Sequence, residues 1–269
     1  MATASAGGLF ISDLYRDNFL VSAGWYGNDL VTLVLGVPVL ATASVLSKRG
    51  SLRARSVWLG MLFYTLYNYA FYLFGAAFNK FFLLYVALFT LSIFALILGL
   101  YALDIRGLSN RFKPDTPAKT IGGFMAVVAV LLGFFHVAVS LQFVFSGELP
   151  EMVVVLDQHT NLISALDLSL TASFGLFGAV LLWKRRPWGY ITAIVWNVKG
   201  AVYLTALSAA TVSGYLAGAS ESLVELTLWV PIGTGCLIAC VVLLRNMAPR
   251  HSDEAPPRVR SNRHGQVDI

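Results

Sequence analysis

Charged side chains are scarce in this chain, and their scarcity excludes an ordinary soluble domain. Asp, Glu, Lys and Arg make up 12% of the 269 residues, whereas hydrophobic residues make up 57%. A typical soluble domain carries about 25% charged residues. A secretory signal peptide is not expected either, because no basic segment opens the chain and Asp13, Arg16 and Asp17 interrupt its first apolar stretch. The composition therefore predicts a protein that is surrounded mostly by lipid.

Cysteine and histidine are also few, which excludes several kinds of site. Cys236 and Cys240 lie four residues apart inside the last apolar run. This spacing fits neither a zinc pair nor a redox pair, so we interpret both as small packing residues. Two of the four histidines, His251 and His264, lie in the polar tail, which excludes a three-histidine intramembrane zinc site of the ceramidase and adiponectin-receptor type. No phosphate-binding loop or nucleophile-elbow motif occurs, and we predict no cofactor.

The chain does contain about seven apolar stretches, each near the length that crosses a bilayer. We predict an all-α, polytopic transmembrane helix bundle with spans at residues 30–47, 56–77, 81–102, 120–145, 161–183, 188–211 and 222–245. Seven spans of about 20 residues leave no room for a separate soluble domain. Residues 1–29 are expected to form a segment outside the cytoplasm, with a short interfacial helix that holds Trp25 and Tyr26 at the level of the lipid headgroups.

Positive charge alternates with these spans and predicts how the chain is threaded. Sixteen of the nineteen Lys and Arg residues lie in the first, third and fifth loops or near the C-terminal end. Arg16 and Lys80 lie on the other side, and Lys199 lies within a span. The positive-inside rule then puts the N-terminus outside and the C-terminus in the cytoplasm. The net charge of +5 follows from this topology, so we predict no nucleic-acid partner, and residues 246–269 are predicted to be a disordered basic tail.

Three ionisable residues lie inside the predicted spans, namely His136, Asp167 and Lys199. Such residues are costly in hydrocarbon and suggest a functional site by default. At about 1.5 Å per residue, His136 and Asp167 each lie about 24 Å from the cytoplasmic boundary, so they should meet if the fourth and fifth spans are neighbours. Lys199 and Asn68 lie near the midplane, and Tyr203 shares a helix face with Lys199.

Two interpretations of this set remain open. The first is an outward-facing polar cavity, which would bind a small molecule or ion, built from Asn68, His136, Asp167, Lys199 and Tyr203. The second is a buried ion pair of Asp167 and Lys199 that only fixes the register of the helices. A retinal site is not expected, because rhodopsins carry their lysine on the seventh helix and Lys199 lies on the sixth predicted span.

Three functions compete on this basis. Transport or sensing of a small molecule or ion through the polar cavity is the leading hypothesis. The alternative is a membrane-embedded enzyme with a His/Asp site in the outer leaflet, to which the loop residues Asp157 and His159 could add a metal site, although so short a spacing often arises by chance. The third is a non-catalytic partner subunit. The lipid bilayer is the one partner that we predict firmly, and the sequence does not indicate an oligomeric state.

Two stretches also carry a resemblance, YNYAFYLFGAAFNKFFLLYVALF (67–89) and LDLSLTASFGLFGAVLLWKRRPWGY (166–190). They resemble recurring segments of uncharacterised prokaryotic multi-pass membrane proteins. The resemblance covers most of the membrane part and leaves out the tail. It implies a multi-pass protein of the bacterial inner membrane, and it brings neither an activity nor site residues.

Overall fold

Helices provide nearly all the regular structure in residues 1–248, which are the residues that the computed structural model describes. Seven helices have 20 residues or more: α2 (Phe19–Lys48), α3 (Leu52–Phe74), α4 (Phe82–Tyr101), α6 (Ala118–Ser146), α8 (Leu162–Trp183), α9 (Pro187–Leu216) and α10 (Leu226–Asn246). Three shorter ones accompany them: α1 (Ala2–Phe10), α5 (Ile105–Ser109) and α7 (Glu151–Val155). Six of the seven long helices are apolar enough to cross a membrane. The chain is therefore an all-helical, multi-pass membrane protein.

The exception among the long helices is α3, which forms the centre of the bundle together with α9. Fifteen of the 23 residues of α3 are buried, and they include tyrosines and an asparagine. α3 packs against α2, α4 and α9, while α9 also packs against α8 and α10. α6 lies at the periphery and packs mainly on α8. A helix that is shielded by protein on most sides can carry polar side chains that a lipid-facing helix cannot.

The first long helix begins earlier than the sequence pattern predicts. It starts at Phe19 instead of residue 30, so Trp25 and Tyr26 lie within α2 and not in a separate interfacial helix. The side chain of Asn18 caps the helix by accepting a hydrogen bond from the amide of Val21 at 2.9 Å. The polar pair Asn28 and Asp29 interrupts the apolar run, which is why hydropathy alone places the start too late.

The short helix α1 packs into the bundle against the first half of α2. Its buried positions are occupied by small residues, including Ala4 and Ser5, which allow close packing. At its start, the hydroxyl of Thr65 in α3 lies 3.1 Å from the sulfur of Met1. The side of the membrane on which residues 1–29 lie stays a prediction.

The end of α10 is fastened to the loop between α5 and α6. The amide of Lys113 donates to the carbonyl of Asn246 at 3.1 Å, and the amide of Ala248 donates to the carbonyl of Arg111 at 2.8 Å. Arg53 adds a hydrogen bond from its Nε to the carbonyl of Met247 at 3.0 Å. The rest of the tail that we predict to be disordered, residues 249–269, lies outside the described residues.

Two of the long helices contain a π-helical segment. Thr32–Gly36 is π-helical within α2, and Asp167–Ala172 is π-helical within α8. Each segment is flanked by α-helix on both sides. Such single-turn irregularities are rare and occur often at functional sites, because they displace side chains from the regular helical positions.

Candidate functional site

The site is built around His136, which lies on the face of α6 that packs against α8. The imidazole is buried, with 2% of the residue exposed. Its Nε2 lies 3.0 Å from Oδ2 of Asp167, and its Nδ1 lies 2.8 Å from the hydroxyl oxygen of Ser164. Ser164 and Asp167 are three residues apart on α8 and therefore share one helix face. The structure thus brings together His136 and Asp167, the two residues expected to meet in the outer part of the bundle.

The partners of His136 determine its tautomer. An ionised carboxylate can only accept hydrogen bonds, so Nε2 carries the proton that is donated to Asp167. Nδ1 is then left as the acceptor for the hydroxyl of Ser164. Within residues 1–248, this is the only contact below 4.0 Å between a basic side chain and a carboxylate.

The carboxylate of Asp167 is satisfied from two sides. While Oδ2 faces His136, Oδ1 accepts a hydrogen bond from the hydroxyl of Tyr67 in α3 at 2.5 Å. Asp167 is also the first residue of the π-helical segment of α8. Three helices, α3, α6 and α8, therefore hold this one carboxylate in place.

Lys199 of α9 lies on the other side of Tyr67. Its ammonium is buried and donates a hydrogen bond to the hydroxyl of Thr171 at 2.9 Å. The nitrogen lies 3.4 Å from the centroid of the Tyr67 ring and 4.8 Å from that of Tyr203, and both rings offer their negative faces to the cation. Two tyrosines and a hydroxyl therefore solvate the ammonium group in place of water.

Asp167 and Lys199, which one of the two interpretations pairs directly, do not form an ion pair in the structure. No carboxylate of residues 1–248 lies within 4.0 Å of the ammonium. The Tyr67 side chain contacts both groups, its hydroxyl reaching Asp167 and its ring covering Lys199. The two charges are consequently linked through an aromatic ring and do not touch.

Asn68 does not join this assembly. Its side-chain oxygen accepts a hydrogen bond from Nδ2 of Asn28 at 2.8 Å, so it faces α2. The chain of contacts continues from Asn28 to Thr32, and from Thr32 to the hydroxyl of Tyr64 at 2.6 Å. Asn68 directly follows Tyr67, and neighbouring residues on a helix point about 100° apart, which is why a similar depth did not bring it to Lys199.

Two cavities of the described residues lie elsewhere. One of about 350 Å³ lies between α3, α4, α8 and α9, and its walls are apolar apart from Ser169 and Thr192. Another, of about 520 Å³, is lined by Lys48 and Arg55 near the ends of α2, α3 and α4. None of the five predicted cavity residues lines either one. His136 contacts Asp167 and Lys199 lies over the Tyr203 ring, while Asn68 contacts helix α2.

Asp157 and His159 are both exposed in the loop between α7 and α8. Neither forms a hydrogen bond or ion pair with the His136 assembly in the described part of the chain. Among residues 1–248, no group of three or more His, Cys, Asp and Glu residues has an arrangement that could hold a metal ion. Asp157 and His159 therefore have no third ligand of these types beside them among the described residues.

Sequence reasoning missed Ser164, Thr171 and the particular role of Tyr67. Ser164 could have been found, because it lies three residues before Asp167 on the same face. Tyr67 is one of several tyrosines in α3, and their spacing does not indicate which of them reaches α8.

Comparison with protein-family models, with curated proteins and with solved structures gives no match.

Proposed function

We propose that this protein transports or senses a small molecule or ion, and that the assembly of Asp167, Tyr67 and Lys199 couples this activity to a change in protonation. The observation that carries the proposal is that one tyrosine lies between the carboxylate of Asp167, whose side chain is 14% exposed, and the buried ammonium of Lys199. Ionisable groups within the membrane are expensive, and they mark ion and proton pathways in transporters and pumps.

A purely structural role would favour direct contact between the charges, because attraction in a low dielectric then offsets most of the cost of burial. Separation through Tyr67 leaves the Lys199 ammonium without a carboxylate of the described residues in contact. Lys199 has three N–H donors and one hydrogen-bond acceptor, Thr171, among the described residues. A proton that moves onto Asp167 or off Lys199 would therefore change the contacts of the whole assembly.

The π-helical segment of α8 is an element that could change conformation when Asp167 or Lys199 changes its protonation. Asp167 and Thr171, the partners of Tyr67 and Lys199, both belong to the segment Asp167–Ala172. A shift of the π turn along α8 would rotate both side chains together and leave the flanking helix in place. Switching requires such an element with two arrangements, and this segment is the best candidate in the site.

The proposal also includes the number and the orientation of the membrane spans. Helix α3 would also cross the membrane, which brings the number of spans to seven. The N-terminus would lie outside and the basic loops in the cytoplasm, and the membrane would be a bacterial inner membrane. The distribution of Lys and Arg supports this threading. The His136 assembly would then lie in the outer half of the bilayer, where it could exchange protons with the outside.

The test applies the proton itself as the probe. Proteoliposomes on a solid-supported membrane are exposed to a rapid pH step, and the transient current is recorded. The wild-type protein should displace charge, and Asp167→Asn or Lys199→Met should abolish most of that current. Asp115→Asn is the control, because Asp115 is an exposed acid outside the long helices. Equal currents from wild type and Asp167→Asn would contradict the proposal.

A second candidate function is acyl transfer. The contacts of His136 with Ser164 on one ring nitrogen and with Asp167 on the other favour it. A hydroxyl, an imidazole and a carboxylate in hydrogen-bond contact form the arrangement of a serine nucleophile, here with the two imidazole nitrogens in exchanged roles. His136 would take the proton of Ser164 as Oγ attacks an acyl carbonyl, and would return it to the departing alcohol or amine. Asp167 would stabilise the imidazolium in between.

An activity-based probe separates this candidate from the first. A fluorophosphonate should label the wild-type protein covalently at Ser164, and Ser164→Ala or His136→Ala should remove the label. Ser140→Ala should keep it, because Ser140 bonds only to the backbone carbonyl of His136. If no label reaches Ser164, the enzyme hypothesis fails, and the pH-step experiment is unaffected.

A further inference from the structure

A fully buried carboxylate, that of Asp29 in α2, lies on a different side of α3 from Asp167. Only 2% of Asp29 is exposed. Its Oδ1 accepts a hydrogen bond from the hydroxyl of Tyr72 at 3.1 Å, and Oδ2 accepts one from the hydroxyl of Tyr15. No Lys, Arg or His of residues 1–248 lies within 4.0 Å of it. Two hydroxyls thus solvate this carboxylate, and no described side chain neutralises it.

Three more hydroxyls in the same region have no hydrogen-bond partner within the described residues. They belong to Ser5, Tyr69 and Tyr85, and each of these residues is at most 1% exposed. The rings of Tyr69 and Tyr85 lie 5.4 and 5.1 Å from that of Tyr72, and Ser5 directly follows Ala4, which packs in the same buried cluster as these three tyrosines. Buried polar groups are normally paired, so a cluster of three unpaired ones calls for an explanation.

The Tyr15 hydroxyl and the backbone of Gly8 both lie against the Asp29 carboxylate. Burial and the neighbouring carboxylate raise the pKa of the Tyr15 hydroxyl well above its usual value, so Tyr15 remains protonated and donates to Asp29. Gly8 of α1 keeps the adjacent space clear, since a Cβ at this position would overlap both the carboxylate and the Tyr15 hydroxyl. Substitution of Gly8 would therefore close the approach of α1 to Asp29.

We propose that Asp29 and the surrounding hydroxyls of Ser5, Tyr15, Tyr69 and Tyr85 bind a small monovalent cation, such as Na⁺ or ammonium. A cation would neutralise the carboxylate, and the unpaired hydroxyl oxygens would serve as its ligands. A single carboxylate balances one positive charge, which favours a monovalent ion over a divalent one. Tyrosine faces next to the site add a further favourable interaction with a cation.

The site lies where the first half of α2 packs against helix α1. Asp29 lies ten residues after the start of α2, or about 15 Å along the helix at about 1.5 Å per residue. Helix α1 covers it and contributes Ser5 and Gly8. The site is separate from the His136 assembly and does not rest on its proposed function.

The test measures thermal unfolding of the purified protein at constant ionic strength. NaCl, KCl or NH₄Cl replaces N-methyl-D-glucamine chloride stepwise, and Tm is recorded. At least one of the small cations should raise Tm saturably, by about 5 °C when it is in large excess over its Kd. Asp29→Asn should remove the shift, and Asp115→Asn, which alters an exposed acid, should keep it.

Tyr85→Phe keeps the test informative if Asp29→Asn fails to fold. Removal of an unpaired hydroxyl should not lower Tm in N-methyl-D-glucamine, but it should weaken the apparent affinity for the cation several-fold. Tyr101→Phe is the matched control, because Tyr101 is 90% exposed. The absence of any cation-specific shift in the wild type would overturn the proposal and indicate a protonated Asp29 instead. An unchanged affinity in Tyr85→Phe would overturn it as well, because the cation would then bind without this hydroxyl.

Discussion

Tyr67 is the residue on which the His136 assembly depends, because it interacts with both charges at once. Its hydroxyl donates to Asp167, and its ring covers the ammonium of Lys199. The residue is completely buried and also packs edge-to-face against Tyr203, with ring centroids 4.8 Å apart. The two interactions can be separated by substitution, because phenylalanine keeps the ring and loses the hydroxyl.

We expect Tyr67→Phe to reduce the free energy of unfolding by about 1–3 kcal/mol, because Oδ1 of Asp167 loses the one donor that it has in the described structure. Tyr67→Leu should cost about 2 kcal/mol more, because Lys199 also loses the aromatic face. Unfolding in mixed detergent micelles, followed by circular dichroism, measures both. Tyr215→Phe should match the wild type, since Tyr215 is 44% exposed. A Tyr67→Phe protein as stable as the wild type would contradict this account.

At the scale of helices, close packing of α2 against α9 depends on small residues. Gly27 lies so near the backbone of α9 that a Cβ at this position would overlap the carbonyl of Ala209. A similar approach occurs between α3 and α9, where a Cβ on Gly60 would lie 2.5 Å from Cβ of Val198. Small residues at helix crossings are typical of membrane proteins, because close backbones gain packing contacts that lipid does not replace.

Gly27→Ala should therefore force α2 and α9 apart and destabilise the protein by about 1–3 kcal/mol. Gly24→Ala is a matched control one turn earlier on α2, where the new Cβ would lie at an ordinary 3.9 Å from Cβ of Ala210. Alanine favours helix more than glycine does, so Gly24→Ala should be neutral or slightly stabilising. Unfolding of both variants in mixed micelles measures the difference. Equal stability of the two would show that the crossing tolerates a side chain.

The sequence predicts which stretches form long helices better than it predicts where α2 begins or where the helices become π-helical. Long apolar stretches predict membrane helices directly, and this all-helical, multi-pass architecture is confirmed by the structure. The early start of α2 was missed because Asn28 and Asp29 look unsuitable for a span, whereas both are bonded to partners on other elements. The π-helical segments leave no hydropathy signal, because they insert one residue without a change of composition.

The contacts within the site could also be predicted from the sequence only in part. Depth along a helix follows from residue number, and it placed His136 level with Asp167. Rotation of a helix about its axis depends on packing with its neighbours, and depth carries no information on it. Asn68 has a depth similar to that of Lys199 but faces α2, while Tyr67, one position earlier, is the residue that reaches Asp167.

At the scale of the whole molecule, the surface of the bundle is apolar where it would meet lipid. α4, α6 and α10 each expose large hydrophobic side chains, for example Leu83, Phe134 and Ile238. The polar side chains of the two buried networks point inward from α2, α3, α6, α8 and α9. α3 supplies partners to both networks, so its passage through the membrane decides whether the proposed topology is right.

Cysteine labelling on either side of α3 tests that passage. Arg49→Cys lies in the exposed turn before α3, and Phe78→Cys replaces a side chain that is 71% exposed after it. The native Cys236 and Cys240 are buried, so background labelling should be low. If α3 crosses and the basic loops are cytoplasmic, an impermeant maleimide should label Phe78→Cys in intact spheroplasts and Arg49→Cys only after permeabilisation.

The two labelling patterns that would contradict the topology have different meanings. Labelling of both positions from the same side would mean that α3 does not span the membrane and that six helices cross it. Reversed labelling would keep α3 as a span and place the basic loops outside, against the distribution of Lys and Arg. In that case the His136 assembly would lie in the inner half of the bilayer, and a pH step on the cytoplasmic side would be the one that displaces charge.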